Sequence, residues 1–233
     1  MVKSIHRSLG EIVNQNKLKI VNMNIKTFRF NPIQVNTYVL SDETGEGIII
    51  DPGNCNVGED EQLREYIAKS GIKIKFLVNT HPHIDHIAGN PWCVSEYHIP
   101  VYMHEGGLPI YNRAYAYAIA FGMSVDEMPE PSVFLKDGDE VKFGNTSLSV
   151  FYTPGHCEGS ICLYSKNEKV IFTGDLIFEL SVGRSDLPTG NEAVLQESIR
   201  EKILALDDDV VILSGHGLKT TVGRERSLNP FIH

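Results

Sequence analysis

The sequence predicts an α/β protein, one domain built from two β-rich halves with helices on the outside. Three observations carry that expectation. Short apolar runs bounded by turn residues occur in two series, and each series is followed by helical stretches. Several of those runs end directly on a turn that carries histidine or aspartate. The chain has 233 residues, 42% of them hydrophobic, which is enough for a substantial core.

Residues 1–23 are polar and basic without a clear period and read as an N-terminal extension, so that a single domain occupies 24–233. Runs at 25–30, 36–40 and 47–51 form an antiparallel meander, and the last ends on Asp51-Pro52-Gly53. Asp51 is equally well read as a turn-forming acid or as a support beside a polar site. Residues 59–70 give an amphipathic helix with Leu63, Tyr66 and Ile67 on one face and Gly71 as its stop. A buried strand follows at 74–80, then a helix at 87–97 with Pro91 in its first turn or breaking it, then a short strand at 100–104.

Between 105 and 131, Tyr115, Tyr117, Ile119 and Phe121 alternate with alanines. Alanine content and length favour a helix, with its aromatics packed toward the core rather than forming a lid. The second β series covers 140–143, 147–153, 160–164 and 169–173. Residues 192–206 make the clearest helix, with Val194, Leu195, Ile199, Ile203 and Leu206 as its buried stripe, and 210–213 is the last core strand.

Lys and Arg total 21 against 30 Asp and Glu, a formal charge of -9, so the bulk field disfavours nucleic acid or an anionic membrane as partner. The four cysteines form no C-x-x-C pair, which points to a reducing compartment. Without a signal-peptide core near Met1 or any long apolar run, the expectation is a soluble cytoplasmic protein.

The densest chemistry lies in Thr80-His81-Pro82-His83-Ile84-Asp85-His86, at the end of the 74–80 strand. An extended segment would put His81, His83 and Asp85 on one side, while His86 would need a turn to join them. Two offset groups of donors suit two adjacent metals better than one. Three further residues share one context, a turn after an apolar strand with glycine immediately before: His156, Asp175 and His216. Nitrogen and carboxylate donors suit zinc, iron or manganese, and the absence of thiolates removes the strongest zinc-specific signal; two divalent ions are expected, zinc first, with iron or manganese as alternatives. Cys157, beside His156, reads as a small core residue.

The pattern His81-x-His83-x-Asp85-His86, with His156, Asp175 and His216 downstream, resembles the metallo-β-lactamase fold superfamily. That resemblance implies a four-layer α/β/β/α sandwich, two mixed β-sheets flanked by helices, with the site along one edge. It also implies that His81, His83 and His156 hold the first metal and Asp85, His86 and His216 the second, with Asp175 bridging both. Gly183-Arg184-Ser185-Asp186, the stretch from Gly215 to Glu225 and Asn229-Pro230-Phe231 are similar to the type II glyoxalase (hydroxyacylglutathione hydrolase) branch. In that branch a basic residue at the place of Arg184 meets the glutathione carboxylate, and an ion pair with Asp186 is the competing reading. Family members that bind glutathione carry a tyrosine after the last metal histidine, where this chain has Gly217-Leu218-Lys219.

The expected activity is hydrolysis of a small-molecule thioester by a metal-bridging hydroxide, with Asp85 orienting that hydroxide. Metals about 3.5–4 Å apart can hold such a water and lower its pKa toward roughly 7. A thiol of pKa about 8.5 leaves without a separate general acid. The rivals are a mononuclear iron persulfide dioxygenase and a lactonase. A structural zinc domain fits poorly, because such sites favour closed, cysteine-rich sets.

Overall fold

In the computed structural model, which describes residues 23–232, the strands fall into two six-stranded sheets and one hairpin. The first sheet contains β1 (Asn24–Phe30), β2 (Val35–Ser41), β3 (Glu46–Ile50), β4 (Lys73–Val78), β5 (Val101–Met103) and β6 (Val133–Phe134), side by side in that order. Its first three strands are antiparallel and the remainder pair in parallel. The second sheet contains β7 (Glu140–Phe143), β8 (Thr146–Tyr152), β9 (Ile161–Ser165) and β10 (Val170–Gly174). After the hairpin of β11 (Ile177–Phe178) and β12 (Ser181–Val182), it is completed by β13 (Val211–Ser214) and β14 (Thr220–Thr221). Its spatial order is β14-β13-β10-β9-β8-β7, with β10 and β13 parallel.

Side-chain alternation turns these sheets into four layers. Ile48 and Ile50 of β3 and Phe76 and Val78 of β4 point inward, against Leu148, Val150, Leu163 and Phe172 of the second sheet. Ile49 and Leu77 point outward, under Leu63 and Ile67 of helix α1 (Val57–Ser70). On the far side, Cys162, Ile171 and Ile212 meet Leu195 and Ile199. The α/β/β/α sandwich is therefore present, and strands such as β3 and β10 are apolar on both faces because both faces are covered.

Local signals explain the helix limits. The Asn56 side chain accepts a hydrogen bond from the Glu59 N–H at 3.1 Å, so α1 starts before the expected Glu59. Gly71, at φ 65°, closes it. The predicted 87–97 helix is two pieces, α2 (Ile84–Ile87) and α3 (Asn90–Tyr97), with Pro91 in the first turn of α3. In the segment 192–206, α6 (here Glu192–Ser198) gives way to a π-helical turn over Ile199–Ile203. Leu195, Ile199 and Ile203 repeat every four residues, wider than the 3.6 of an α-helix, and the wider turn keeps all three buried.

The expected helix over 105–131 is broken. It becomes a 3-10 turn, Glu105–Gly107, then α4 (Leu108–Tyr111) and α5 (Ala114–Ala120), with the chain irregular from Phe121 to Ser132. Pro109, Gly122 at φ 68°, Pro129 and Pro131 each oppose continuation. The aromatics divide: Tyr117 is half-buried against the cluster in which Ala114 and Ala118 pack beside Ile84 and Ile87, whereas Tyr115 is 70% and Phe121 54% exposed. Small residues four apart allow α5 to approach α2 closely, which displaces Tyr115 and Phe121 outward. The proposed extension at 1–23 lies outside the described residues except for Met23, which is buried between the sheets.

Candidate metal centre

Four of the parallel-pointing strands deliver the candidate residues from their C-terminal ends. β4 runs into Thr80-His81, β8 into Gly155-His156, β10 into Asp175, and β13 into Gly215-His216. The two sheets are sewn together at this edge. Asn36 N–H donates to the Gly215 carbonyl at 2.6 Å, Tyr38 O–H to the Ser214 carbonyl at 2.6 Å, and Ile161 N–H to the Thr80 carbonyl at 2.8 Å. Glycine is required here for space: a Cβ on Gly215 would lie 2.2 Å from Asp175 Oδ1 and 2.6 Å from His86 Cε1. Gly155, at φ 126°, would put a Cβ 2.2 Å from the Leu195 nitrogen.

The seven predicted residues converge as two adjoining groups. His81, His83 and His156 form one, with His83 Nδ1 2.8 Å from His156 Nε2. Asp85, His86 and His216 form the other, with Asp85 Oδ2 3.1 Å from His216 Nε2 and 3.5 Å from His86 Nε2. Asp85 does not stay with His81 and His83, because the helical turn begins at Ile84 and carries Asp85 and His86 around together. Asp175 lies between the groups. Its Oδ2 is 3.8 Å from His156 Nε2 and 3.6 Å from His216 Nε2, and its Oδ1 is 3.3 Å from His86 Nε2.

These donors suit cations. His81 Nε2, His86 Nε2 and Asp175 Oδ1 are buried without a hydrogen-bond partner, an arrangement that buried polar atoms rarely tolerate. The opposite ring nitrogens are held from behind. His81 Nδ1 is 3.1 Å from Thr80 Oγ1, and His156 Nδ1 donates to the Arg184 carbonyl at 2.7 Å. His86 Nδ1 is 2.9 Å from Asp51 Oδ2. Each contact aims the remaining nitrogen at the cluster.

Asp51 was legible only as one of two readings, and the structure selects the support. Its Oδ1 accepts from Thr80 N–H at 2.7 Å, and its Oδ2 from Thr80 O–H at 2.6 Å while facing His86. Asp51 also falls within ligand distance of His81 and His86, but these bonds occupy both of its oxygens on the outer side of the His86 ring. It shares the strand-end context of the other donors, with its glycine after it rather than before.

The charge environment is divided. Burial pushes His83 down to about 4, assisted by His156. Burial lowers His81 well below its ordinary value, and His86 and His83 add to that. For His86, burial works the same way, but the carboxylates of Asp175, Asp85 and Asp51 outweigh it and raise the ring well above its usual range. Burial would raise Asp175, yet His86, His216 and His156 hold it well below the usual carboxylate range. One group thus presents neutral imidazoles and the other balances carboxylates against positive charge, as a centre built to receive cations would.

A cavity of about 520 Å³ opens onto the cluster, with His83, Asp85, His156, Asp175 and His216 at its floor. Ile110, Tyr117 and Phe121 from the broken 105–131 segment line one side, so this stretch does border the site. Arg184 also lines the cavity, but Nε and Nη2 of its guanidinium each lie 2.7 Å from an Asp186 carboxylate oxygen. Cys157 is fully buried with Sγ 3.3 Å from Ser160 Oγ, and burial pushes its thiol up to about 12.

An α/β/β/α sandwich with paired histidine and aspartate groups at one sheet edge defines a class of proteins built around divalent metals. The chain belongs to the metallo-beta-lactamase superfamily, whose family model matches residues 30–216. It is 32% identical over 213 residues to hydroxyacylglutathione hydrolase GloC of Haemophilus influenzae, covering 91% of this chain and 99% of that protein. It is 31% identical over 207 residues to the mitochondrial persulfide dioxygenase ETHE1 of Homo sapiens, covering 86% of this chain and 73% of that one. Among solved structures, TTHA1623 in a di-iron-bound form superposes with a TM-score of 0.81 at 33% identity, covering 89% of this chain and all of that one. Among the described residues, no helix is long and apolar enough to cross a membrane.

Proposed function

We propose that this protein is a dinuclear metal-dependent hydrolase that cleaves a small thioester in the cytoplasm. The observation that carries the reading is Asp175, whose carboxylate lies within 3.8 Å of donors from both groups. In this reading His81, His83 and His156 would hold one ion and Asp85, His86 and His216 the other, with Asp175 shared between them. Zinc is the first candidate, and the di-iron form of TTHA1623 keeps iron beside it. Similarity to GloC over nearly its whole length supports a thioester as the bond cleaved.

When bound, the ions would supply Lewis acidity and would lower the pKa of water at the site toward about 7. The chain's own residues supply the remainder. Asp85 stays anionic because the His86 charge and a hydrogen bond from His216 outweigh its burial, so it can orient the nucleophile as a hydrogen-bond acceptor. The Arg184 carbonyl fixes the tautomer of His156 through Nδ1. The thiolate product, of pKa about 8.5, departs without a dedicated acid.

The test combines elemental analysis of the purified protein with turnover of a panel of thioesters and glutathione persulfide. Two metals with thioester hydrolysis are expected. A single iron with oxygen consumption and no hydrolysis would replace this reading with the persulfide dioxygenase, the alternative that the ETHE1 similarity favours.

A further inference from the structure

The walls of the cavity say more about the substrate than its floor does. Ile110, Tyr117, Phe121, Phe178 and Leu187 line the cavity, together with Ile33 from the turn after β1. Phe178 stands edge-on to His216, with ring centroids 6.2 Å apart, so the apolar wall begins at the metal cluster itself. Ile33 and Phe121 remain 38% and 54% exposed at the rim, an arrangement that costs solubility unless a ligand covers it.

Cationic lining is scarce. Among the described residues lining the cavity, Arg184 is the one lysine or arginine, and Asp186 already engages two of its nitrogens. A thiol carrier rich in carboxylates would find little to neutralise it there, and the chain's charge of -9 opposes it further.

We infer, resting on the thioester reading, that the preferred substrate carries an uncharged aliphatic or aryl acyl group held against the apolar lining that includes Phe121 and Phe178, rather than a hydroxyacyl group on a carboxylate-rich thiol. Each methylene buried against these walls should raise kcat/KM about two- to fourfold.

The experiment uses the metal-loaded full chain with acetyl, butyryl and hexanoyl thioesters of N-acetylcysteamine, beside lactoylglutathione. A rising series, with the hexanoyl thioester ahead of lactoylglutathione, is expected; a flat or falling series, or preference for lactoylglutathione, overturns the inference. Phe121→Ala, at an exposed position where folding is not at risk, should lower the hexanoyl-to-acetyl ratio severalfold, and an unchanged ratio counts against the proposal. Calorimetric binding of hexanoate and acetate separates this inference from the hydrolase reading. Tighter hexanoate binding without turnover of any thioester leaves the apolar site standing and removes the thioesterase. Equal binding removes the apolar site whatever the turnover.

Discussion

The two sheets supply the metal centre in opposite ways. The first contributes four donors from a single loop, His81 to His86, after one strand. The second contributes three donors, His156, Asp175 and His216, from the ends of three separate strands. A contiguous loop can be aimed by its own turn, as the helical turn at Ile84 aims Asp85 and His86 together. Dispersed donors depend on sheet pairing and on glycines that let the strand ends close in. The first arrangement should therefore tolerate backbone change better than the second.

The largest effect is expected where the two contributions meet. Asp175→Ala should cost both ions and lower thioester turnover by more than the roughly 100-fold typical of outer supporting residues. Metal content by mass spectrometry and turnover rates check this together; two retained metals with normal activity would refute the bridging assignment. Next comes the support behind the contiguous loop. Asp51→Asn leaves every proposed ligand in place but weakens the hold on His86, and should reduce metal affinity about 10- to 100-fold, measured by chelator competition.

Gly215→Ala tests the dispersed side without removing a donor. The new Cβ would meet Asp175 and His86, so a loss of about 1–3 kcal/mol in apo-protein stability is expected, with weaker metal binding. An unchanged denaturation midpoint and full metal content would show that the strand ends relax more freely than the packing implies.

The smallest effect concerns the opposite end of the sandwich, where a carboxylate rather than the metal site joins the sheets. Asp42, just after β2, accepts from Asn145 N–H at 2.6 Å and from Thr146 O–H at 3.1 Å in the β7–β8 turn. Burial acts to raise its pKa, but hydrogen bonds from Thr44, Asn145 and Thr146 together outweigh it and lower the carboxyl below its usual value. Its contribution is therefore complete above about pH 4, the unfolded carboxyl range, and is lost as pH falls through the lower folded value. Asp42→Asn should cost about 1 kcal/mol in chemical denaturation at pH 7, with the difference from wild type shrinking in acid. A constant difference down to acid pH would remove the charge from the explanation.

The sequence by itself determined the donors. Three imidazoles and a carboxylate within six residues, and three strand-end turns each opened by glycine, are local patterns that short-range backbone preferences write directly into the chain. The two β-rich halves were legible for the same reason, since strands such as β2, β3 and β10 are long enough to show their apolar runs. Strands β6, β11, β12 and β14, each of two residues, are too short to show any period, and their pairing comes from neighbours already in place. The break-up of 105–131 was signalled by its glycines and prolines, but the outward turn of Tyr115 and Phe121 was not, because it depends on how closely Ala114 and Ala118 approach α2. Between readings that the sequence left open, the tertiary structure chose: Asp51 stands behind His86, and Arg184 is turned to Asp186. The first joins residues 35 apart in the chain, and that meeting is fixed by the pairing of β3 with β4 rather than by local spacing.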